Sequence, residues 1–182
     1  MNLEVVDNFL PRDKHLKAFG FVKNAPARWG EYDDLPEKPA GSSIHIKKED
    51  QIFQYFDKVA RDRFDQLNDP GFDLVRMYVN VFWPHECPRW HIDAHPIEGL
   101  ESYTVLYYPH LDWDRNDGGF THFWKTDHTI GHFPMPNRAI CFDGTIWHTA
   151  TAFTDQIRYT YALKYEKCTG DIDVRQFGSA RS

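Results

Sequence analysis

The chain has 182 residues, enough for one domain with a real core, and its 41% hydrophobic and 26% charged residues are the balance of a globular protein. A formal net charge of −6, with no basic run longer than Lys47-Lys48, argues against a nucleic-acid partner, because neutralising phosphates takes clustered Lys and Arg. No apolar stretch reaches the length of a membrane span, and the start MNLEVVDNFLPRDK lacks the basic-then-apolar order of a signal peptide, so neither a membrane nor export is expected.

The first ten residues read as a short strand, and PRDKHLKAFG as a short helix opened by Pro11 and closed by Gly20. Residues 24–46 carry Pro26, Gly30, Pro36, Pro39 and Gly41 and predict a long surface loop. In KKEDQIFQYFDKVARDRFDQLNDPG the period changes. Ile52, Phe53, Phe56, Val59, Ala60, Phe64 and Leu67 recur every three to four residues, an amphipathic helix stopped by Pro70-Gly71.

From residue 72 onward short alternating runs are divided by turns: FDLVRMYVNVFW, WHIDAH, ESYTVLYY, GFTHFW, HTIGHF, RAICFDG, IWHTATAF and IRYTYALKYE. About eight such strands, with an aromatic content of 16%, predict a mainly β fold with flanking helices. A helix before the strands, rather than alternating with them, argues against a Rossmann-type sheet. The expected architecture is a jelly roll, the cupin-like double-stranded β-helix, with the long helix packed outside. The division expected within one domain over 1–182 is helical support over 1–70, a jelly-roll core over 71–167 and a tail over 168–182. Cys87, Cys141 and Cys168 are odd in number and lack metal-site spacing, which predicts free thiols and a reducing, cytoplasmic compartment.

The stretch RWHIDAH raises the chemical question. His91 and Asp93 stand two residues apart on a predicted strand, so their side chains share one face, about 6.6 Å apart, and can lean toward an ion about 2 Å from each donor. His-x-Asp alone is weak: 10 His and 19 Asp among 182 residues give about one such pair by chance, and His110-Leu111-Asp112 is a second. The 110/112 pair follows Pro109 and runs into the polar turn segment DWDRNDGG, so both side chains are expected to be solvated.

A third ligand has to come from elsewhere, and His148 on the later strand IWHTATAF is the candidate. A lone strand His is ordinarily a hydrogen-bonded core or edge residue; what lies beyond it changes the reading. Ten residues later comes Arg158, on a strand otherwise apolar or aromatic at alternate positions, with Thr160 on the same face. An inward Arg is costly unless an anion pairs with it, and its planar fork suits the carboxylate of a small dicarboxylate. Two His and one carboxylate with open positions form the facial triad of non-haem Fe(II) oxygenases, and the inward Arg suits 2-oxoglutarate as co-substrate.

The stretches WHID, YTVLYYPHLDWDRNDGGFTHFW, NRAICFDGTIWH and RYTYALKY together resemble the 2-oxoglutarate- and Fe(II)-dependent dioxygenases, most closely the prolyl 4-hydroxylase-like branch. The likeness covers roughly residues 74–166, and its more specific carriers are the Tyr-Tyr pair, Asp-Trp-Asp and Gly-Gly. The resemblance implies His91, Asp93 and His148 as both the catalytic and the metal-binding set, and Arg158 as partner of the distal carboxylate of 2-oxoglutarate. It implies Tyr108 as a donor to that carboxylate, with Leu106 and Thr121 lining the pocket. Fe(II), 2-oxoglutarate and O2 are the implied cofactors, with ascorbate as a reductant. The resemblance further implies that succinate and CO2 are released as a prolyl or related substrate, small or peptidyl, is hydroxylated. Retention of Asp93 favours hydroxylation over halogenation.

One departure concerns a Tyr that relatives carry shortly before the His-x-Asp strand. Here NVFWPHECPRWHID has Phe82 or Trp83 at that place, so Tyr78 or Asn80 is the candidate to take over; alternation puts those two on one face without saying which face is inward.

Other constellations are weaker. His85, Glu86 and Cys87 lack the second His of a His-Glu-x-x-His site, since Arg89 stands there. His95 as a third consecutive same-face ligand would stretch the set to about 13 Å, too far for one ion. His122 is expected to pack or to face substrate. Trp83, Trp90, Trp113, Trp124 and Trp147 are candidates for a cleft or for the core. The rival class is a non-catalytic cupin-like metal or small-molecule binder, against which Arg158 and Tyr108 weigh together. A nucleic-acid demethylase on the same fold is disfavoured by the acidic charge. No sequence feature fixes an oligomeric state.

Overall fold

A computed structural model describes residues 3–31 and 41–169 of the chain. Its order is β1 (Leu3–Val6), α1 (Arg12–Asn24), β2 (Arg28–Glu31), β3 (Gly41–Ile46), α2 (Gln51–Arg63), a 3-10 turn over Asp65–Leu67, and then β4 (Asp73–Phe82), β5 (Leu100–Tyr107), β6 (Thr121–Lys125), β7 (His128–His132), β8 (Ala139–Asp143), β9 (His148–Ala150) and β10 (Arg158–Cys168). The strands form a seven-stranded sheet, β1-β8-β5-β10-β4-β3-β2, and a three-stranded sheet, β7-β6-β9; the strand pairs are antiparallel. This is a jelly roll with flanking helices.

Side-chain parity divides the large sheet into two faces. Met77, Val79, Val81, Val105, Tyr107, Cys141, Tyr161, Leu163 and Tyr165 point to the face the helices cover, in one cluster with Phe53, Phe56, Ala60 and Phe64. The stripe read from the sequence of α2 is the stripe that packs: Phe56 stacks on Tyr161 at 4.8 Å, a burial contributing about 2–3 kcal/mol. From α1, the carbonyl of Ala18 accepts the Tyr161 hydroxyl at 2.9 Å. The opposite parity, Tyr78, Leu106, Tyr108, Ile140, Phe142 and Ala162, faces the small sheet and meets Phe123 from β6. The space between the two sheets is therefore lined by alternate residues of β4, β5, β8 and β10.

Three expectations are corrected. Helix α1 runs past Gly20 to Asn24 and ends where Ala25, extended at φ −77 and ψ 141, precedes Pro26; the proline, not the glycine, is the stop. The region expected as a loop over 24–46 contains β2 and β3, and β3 pairs with β4 from Ser42↔Val81 to Ile46↔Met77. The run GSSIHI is short, but it covers the edge of a ten-residue strand that would otherwise be left open. Residues 32–40 of that expected loop, and the expected tail from 170 on, lie outside the described residues. WHIDAH is not a full strand either: His91 makes an isolated antiparallel bridge to His148, and the amides of Asp93 and Ala94 both donate to the Gly144 carbonyl, at 2.8 and 3.0 Å. Two successive donors on one acceptor interrupt the ladder, and Pro96 cannot resume it.

Candidate metal and dicarboxylate site

His91 and His148 are brought together by that bridge, and the turn after β8 fixes Asp93 beside them. One donor atom from each lies within 4.8 Å of the other two, so the three can hold one metal ion. Nε2 of His91 is 3.7 Å from Oδ1 of Asp93, and Nε2 of His148 is 3.6 Å from Oδ2. Each imidazole is oriented from behind: Nδ1 of His91 is 2.8 Å from the Arg89 carbonyl and Nδ1 of His148 is 2.9 Å from the Ile146 carbonyl. A carbonyl only accepts, so the proton sits on Nδ1 and the Nε2 lone pairs are left toward Asp93, the tautomer a metal ligand requires. Burial holds His148 down to about 4, against the pull of Asp93, and so keeps it neutral.

Asp93 has a partner that the sequence reading overlooked. Lys164, on β10, forms an ion pair with Oδ2, and Thr104, directly opposite it on β5, donates to the same oxygen at 2.7 Å. Burial alone would raise the carboxyl's pKa. The Lys164 ammonium foremost reverses this and holds it well below the usual carboxylate range. The missed signal was arithmetic: Lys164 lies six residues beyond Arg158, hence on the same strand face.

Arg158 enters the same face six residues earlier, its backbone about 20 Å from that of Lys164, and its guanidinium reaches Thr121 on β6, two residues from Phe123, the register partner of His148. It is 3% exposed and is held by neutral groups, Nε donating to the Gly119 carbonyl at 3.2 Å and Nη2 to Thr121 Oγ1 at 2.9 Å. Tyr108 OH is 2.7 Å from the same Thr121 hydroxyl, and the guanidinium lies 5.6 Å from the Tyr108 ring centroid. Among the described residues no carboxylate pairs with Arg158. Two places on, Thr160 is 1% exposed, and among the described residues its buried hydroxyl has no hydrogen-bond partner. A buried cation without an anion, next to an orphaned donor, fits a carboxylate arriving with a ligand.

The loop DWDRNDGG builds this end. Asp117 Oδ1 accepts from the Thr154 amide, the Thr154 hydroxyl and the Asp155 amide, which staples the loop to the chain entering β10. Gly118 and Gly119 have φ +79 and +73, and a Cβ on Gly118 would stand 2.5 Å from the Ala152 carbonyl. The Gly-Gly turn is what delivers the Gly119 carbonyl to Arg158.

Among the remaining candidates, Leu106 stands opposite Ala162 in register, Tyr78 opposite Ala162 from the other side, and Asn80 opposite Thr160. The inward face of β4 is thus the one carrying Tyr78, Asn80 and Phe82, whereas Trp83 is 52% exposed. His85, Cys87 and His95 are exposed, and His122 packs beside Phe120. Trp113 is buried against Phe153, while Trp90 and Trp124 meet edge to face at 5.7 Å near the surface. The expectation for the second His-x-Asp is half corrected. Asp112 is exposed, but His110 is 1% exposed and its Nε2 accepts the Tyr159 amide at 3.0 Å. The ring ends the sheet where β10 begins, supplying an acceptor that no strand provides. Burial holds its pKa down to about 3.

No protein-family model matches the sequence, and no curated protein matches it. Solved structures do match the fold. A prolyl-4-hydroxylase from Pseudomonas putida aligns over 92% of this chain and 93% of its own with a TM-score of 0.70 at 14% identity. The chain has the prolyl-hydroxylase fold. A prolyl hydroxylase from Trichoplax adhaerens, in complex with a peptide fragment of the hypoxia inducible factor oxygen degradation domain, aligns over 99% and 87% with a TM-score of 0.67 at 15% identity. HygX from Streptomyces hygroscopicus, with nickel and 2-oxoglutarate bound, aligns over 90% and 82% with a TM-score of 0.68 at 10% identity. At such identities the likeness is one of fold, and the chemistry has to be argued from the side chains.

Proposed function

We propose that this protein is an Fe(II)- and 2-oxoglutarate-dependent oxygenase that hydroxylates a prolyl or related substrate, small or peptidyl. The observation that carries the reading is Arg158: a buried guanidinium with neutral partners, beside the orphaned Thr160 hydroxyl, on the strand face that also reaches the His91, Asp93 and His148 cluster. That pairing of a dicarboxylate clamp with a two-histidine, one-carboxylate set is what a metal-chelating 2-oxo acid needs.

In this reading His91, Asp93 and His148 bind the metal through Nε2, a carboxylate oxygen and Nε2. Arg158 and Thr160 grip the far carboxylate of 2-oxoglutarate, and Tyr108 and Thr121 hold the guanidinium's position beside it. Leu106, Tyr78 and Asn80 wall the pocket and keep it dry. When bound, the iron, 2-oxoglutarate and dioxygen together supply the oxidising step, with succinate and CO2 as by-products; ascorbate would serve as a reductant that keeps the iron ferrous. The protein's share is to orient the ligands and exclude water. Prolyl specificity is supported by the fold and the solved prolyl hydroxylases that share it.

The test is Fe(II)-dependent conversion of 2-oxoglutarate to succinate, run with a panel of prolyl peptides and free amino acids. Succinate formation coupled to a gain of one oxygen atom in a panel member is expected, and Asp93→Ala should abolish both. Metal binding without any succinate, across the panel and in its absence, would instead favour a cupin-like binder.

A further inference from the structure

Lys164 deepens this reading. It is 7% exposed, on the inner face of β10, and its ammonium meets Asp93 Oδ2 and lies 3.2 Å from Thr104 Oγ1. Thr104 donates to that same oxygen. The three side chains form a closed triangle across β10, β5 and the turn that presents Asp93. Its consequence is that the carboxylate belonging to the metal cluster already has a fixed positive charge on one of its two oxygens.

A buried carboxylate left without a cation is strongly destabilising. A site whose only cation was an exchangeable metal would therefore be costly to hold together when empty. Resting on the metal-site reading above, we propose that Lys164 is a built-in counter-ion for Asp93: it keeps the site assembled without metal, and it lowers metal affinity because ammonium and ion draw on one carboxylate. Thr104 fixes which oxygen the ammonium occupies, leaving Oδ1, the atom nearer His91, as the one most open to an ion. Lys164 is thus a positioning residue that sets how tightly the centre holds its metal.

The experiment compares wild type, Lys164→Met, Lys164→Arg, Asp93→Asn and the Lys164→Met/Asp93→Asn double variant, each measured metal-free and with Co(II) as the probe. Metal-free Lys164→Met should lose stability, and adding Asp93→Asn should restore part of it, since the double variant buries no unpaired charge. Co(II) should raise the Tm of Lys164→Met by about 5 °C more than it raises that of wild type, because the ion now supplies the missing charge. Co(II) should also bind Lys164→Met about tenfold more tightly than wild type, while Lys164→Arg stays close to wild type in both readouts. Should Lys164→Met fail to fold without metal, recovery of a folded double variant carries the same conclusion. Additive stability costs, or Co(II) affinity that is unchanged or weaker in Lys164→Met, overturn the proposal. If wild type binds no Co(II), the metal-site reading and the affinity claim both fall, and the metal-free coupling of the two positions alone then decides whether Lys164 is Asp93's counter-ion.

Discussion

At one end of the inner pocket Asp93 is buried with Lys164 and Thr104 already on one oxygen; at the other, Arg158 is buried with a carbonyl and a hydroxyl as its acceptors. Both ends bury a charge, but the first is neutralised from within and the second is not. The difference indicates what each end awaits. A carboxylate with a resident cation tolerates an empty site, whereas a guanidinium held only by neutral dipoles, beside an orphaned Thr160 hydroxyl, gains most when an anion enters. Under the proposed function, selection for a dicarboxylate would rest on Arg158 and Thr160 rather than on the His91, Asp93 and His148 cluster.

The comparison breaks most visibly at the metal. His91→Ala, Asp93→Ala or His148→Ala should abolish saturable Co(II) binding in a calorimetric titration, while Asp112→Ala and His110→Gln retain it; the reverse pattern would move the metal to the other His-x-Asp pair.

A smaller effect separates His110 from the site. Its folded pKa of about 3 lies below the ordinary histidine value of about 6.5, so the unfolded chain takes up the proton first. The stability this contributes is fully present above pH 6.5 and is lost as pH falls toward 3, on the order of 3 kcal/mol by pH 4. Denaturant midpoints at pH 7 and pH 4 should converge in His110→Gln relative to wild type, since Gln offers the Tyr159 amide an acceptor that does not titrate. An equal acid loss in both proteins would show that His110 is not the group responsible.

The smallest effect sharpens the Arg158 end. Thr160→Val removes a buried hydroxyl that has no hydrogen-bond partner among the described residues, so the unliganded protein should be unchanged or more stable by about 1 kcal/mol. The same change should weaken 2-oxoglutarate binding by a similar amount. Destabilisation of the unliganded protein would mean that the hydroxyl is satisfied there.

How far the sequence could be read depended on the range of the interaction involved. The stripe of α2 and seven of the eight expected strands from residue 72 on follow from local periodicity, and they are present. Arg158 and Thr160 were legible because an even spacing on a strand fixes a shared face. The same rule applied to Lys164 would have exposed the second inward cation, but nothing local says that position 164 meets position 93. Strand β3 was hidden because Pro39 and Gly41 outweigh a run of only six residues, and its reason for pairing lies in the length of β4. His110 was misread because turn-forming neighbours describe the backbone's path and say nothing of a single ring folding inward to finish a sheet.

The most direct test is 2-oxoglutarate titration of the Fe(II)-loaded protein under nitrogen, following the visible absorption of the chelate, in wild type and Arg158→Ala. Removing the guanidinium should leave metal binding intact and weaken 2-oxoglutarate by on the order of 3 kcal/mol, about a hundredfold. Arg158→Lys should recover only part of this, since it keeps the charge and loses the fork. A folded, iron-loaded Arg158→Ala protein that binds 2-oxoglutarate as tightly as wild type would contradict the account.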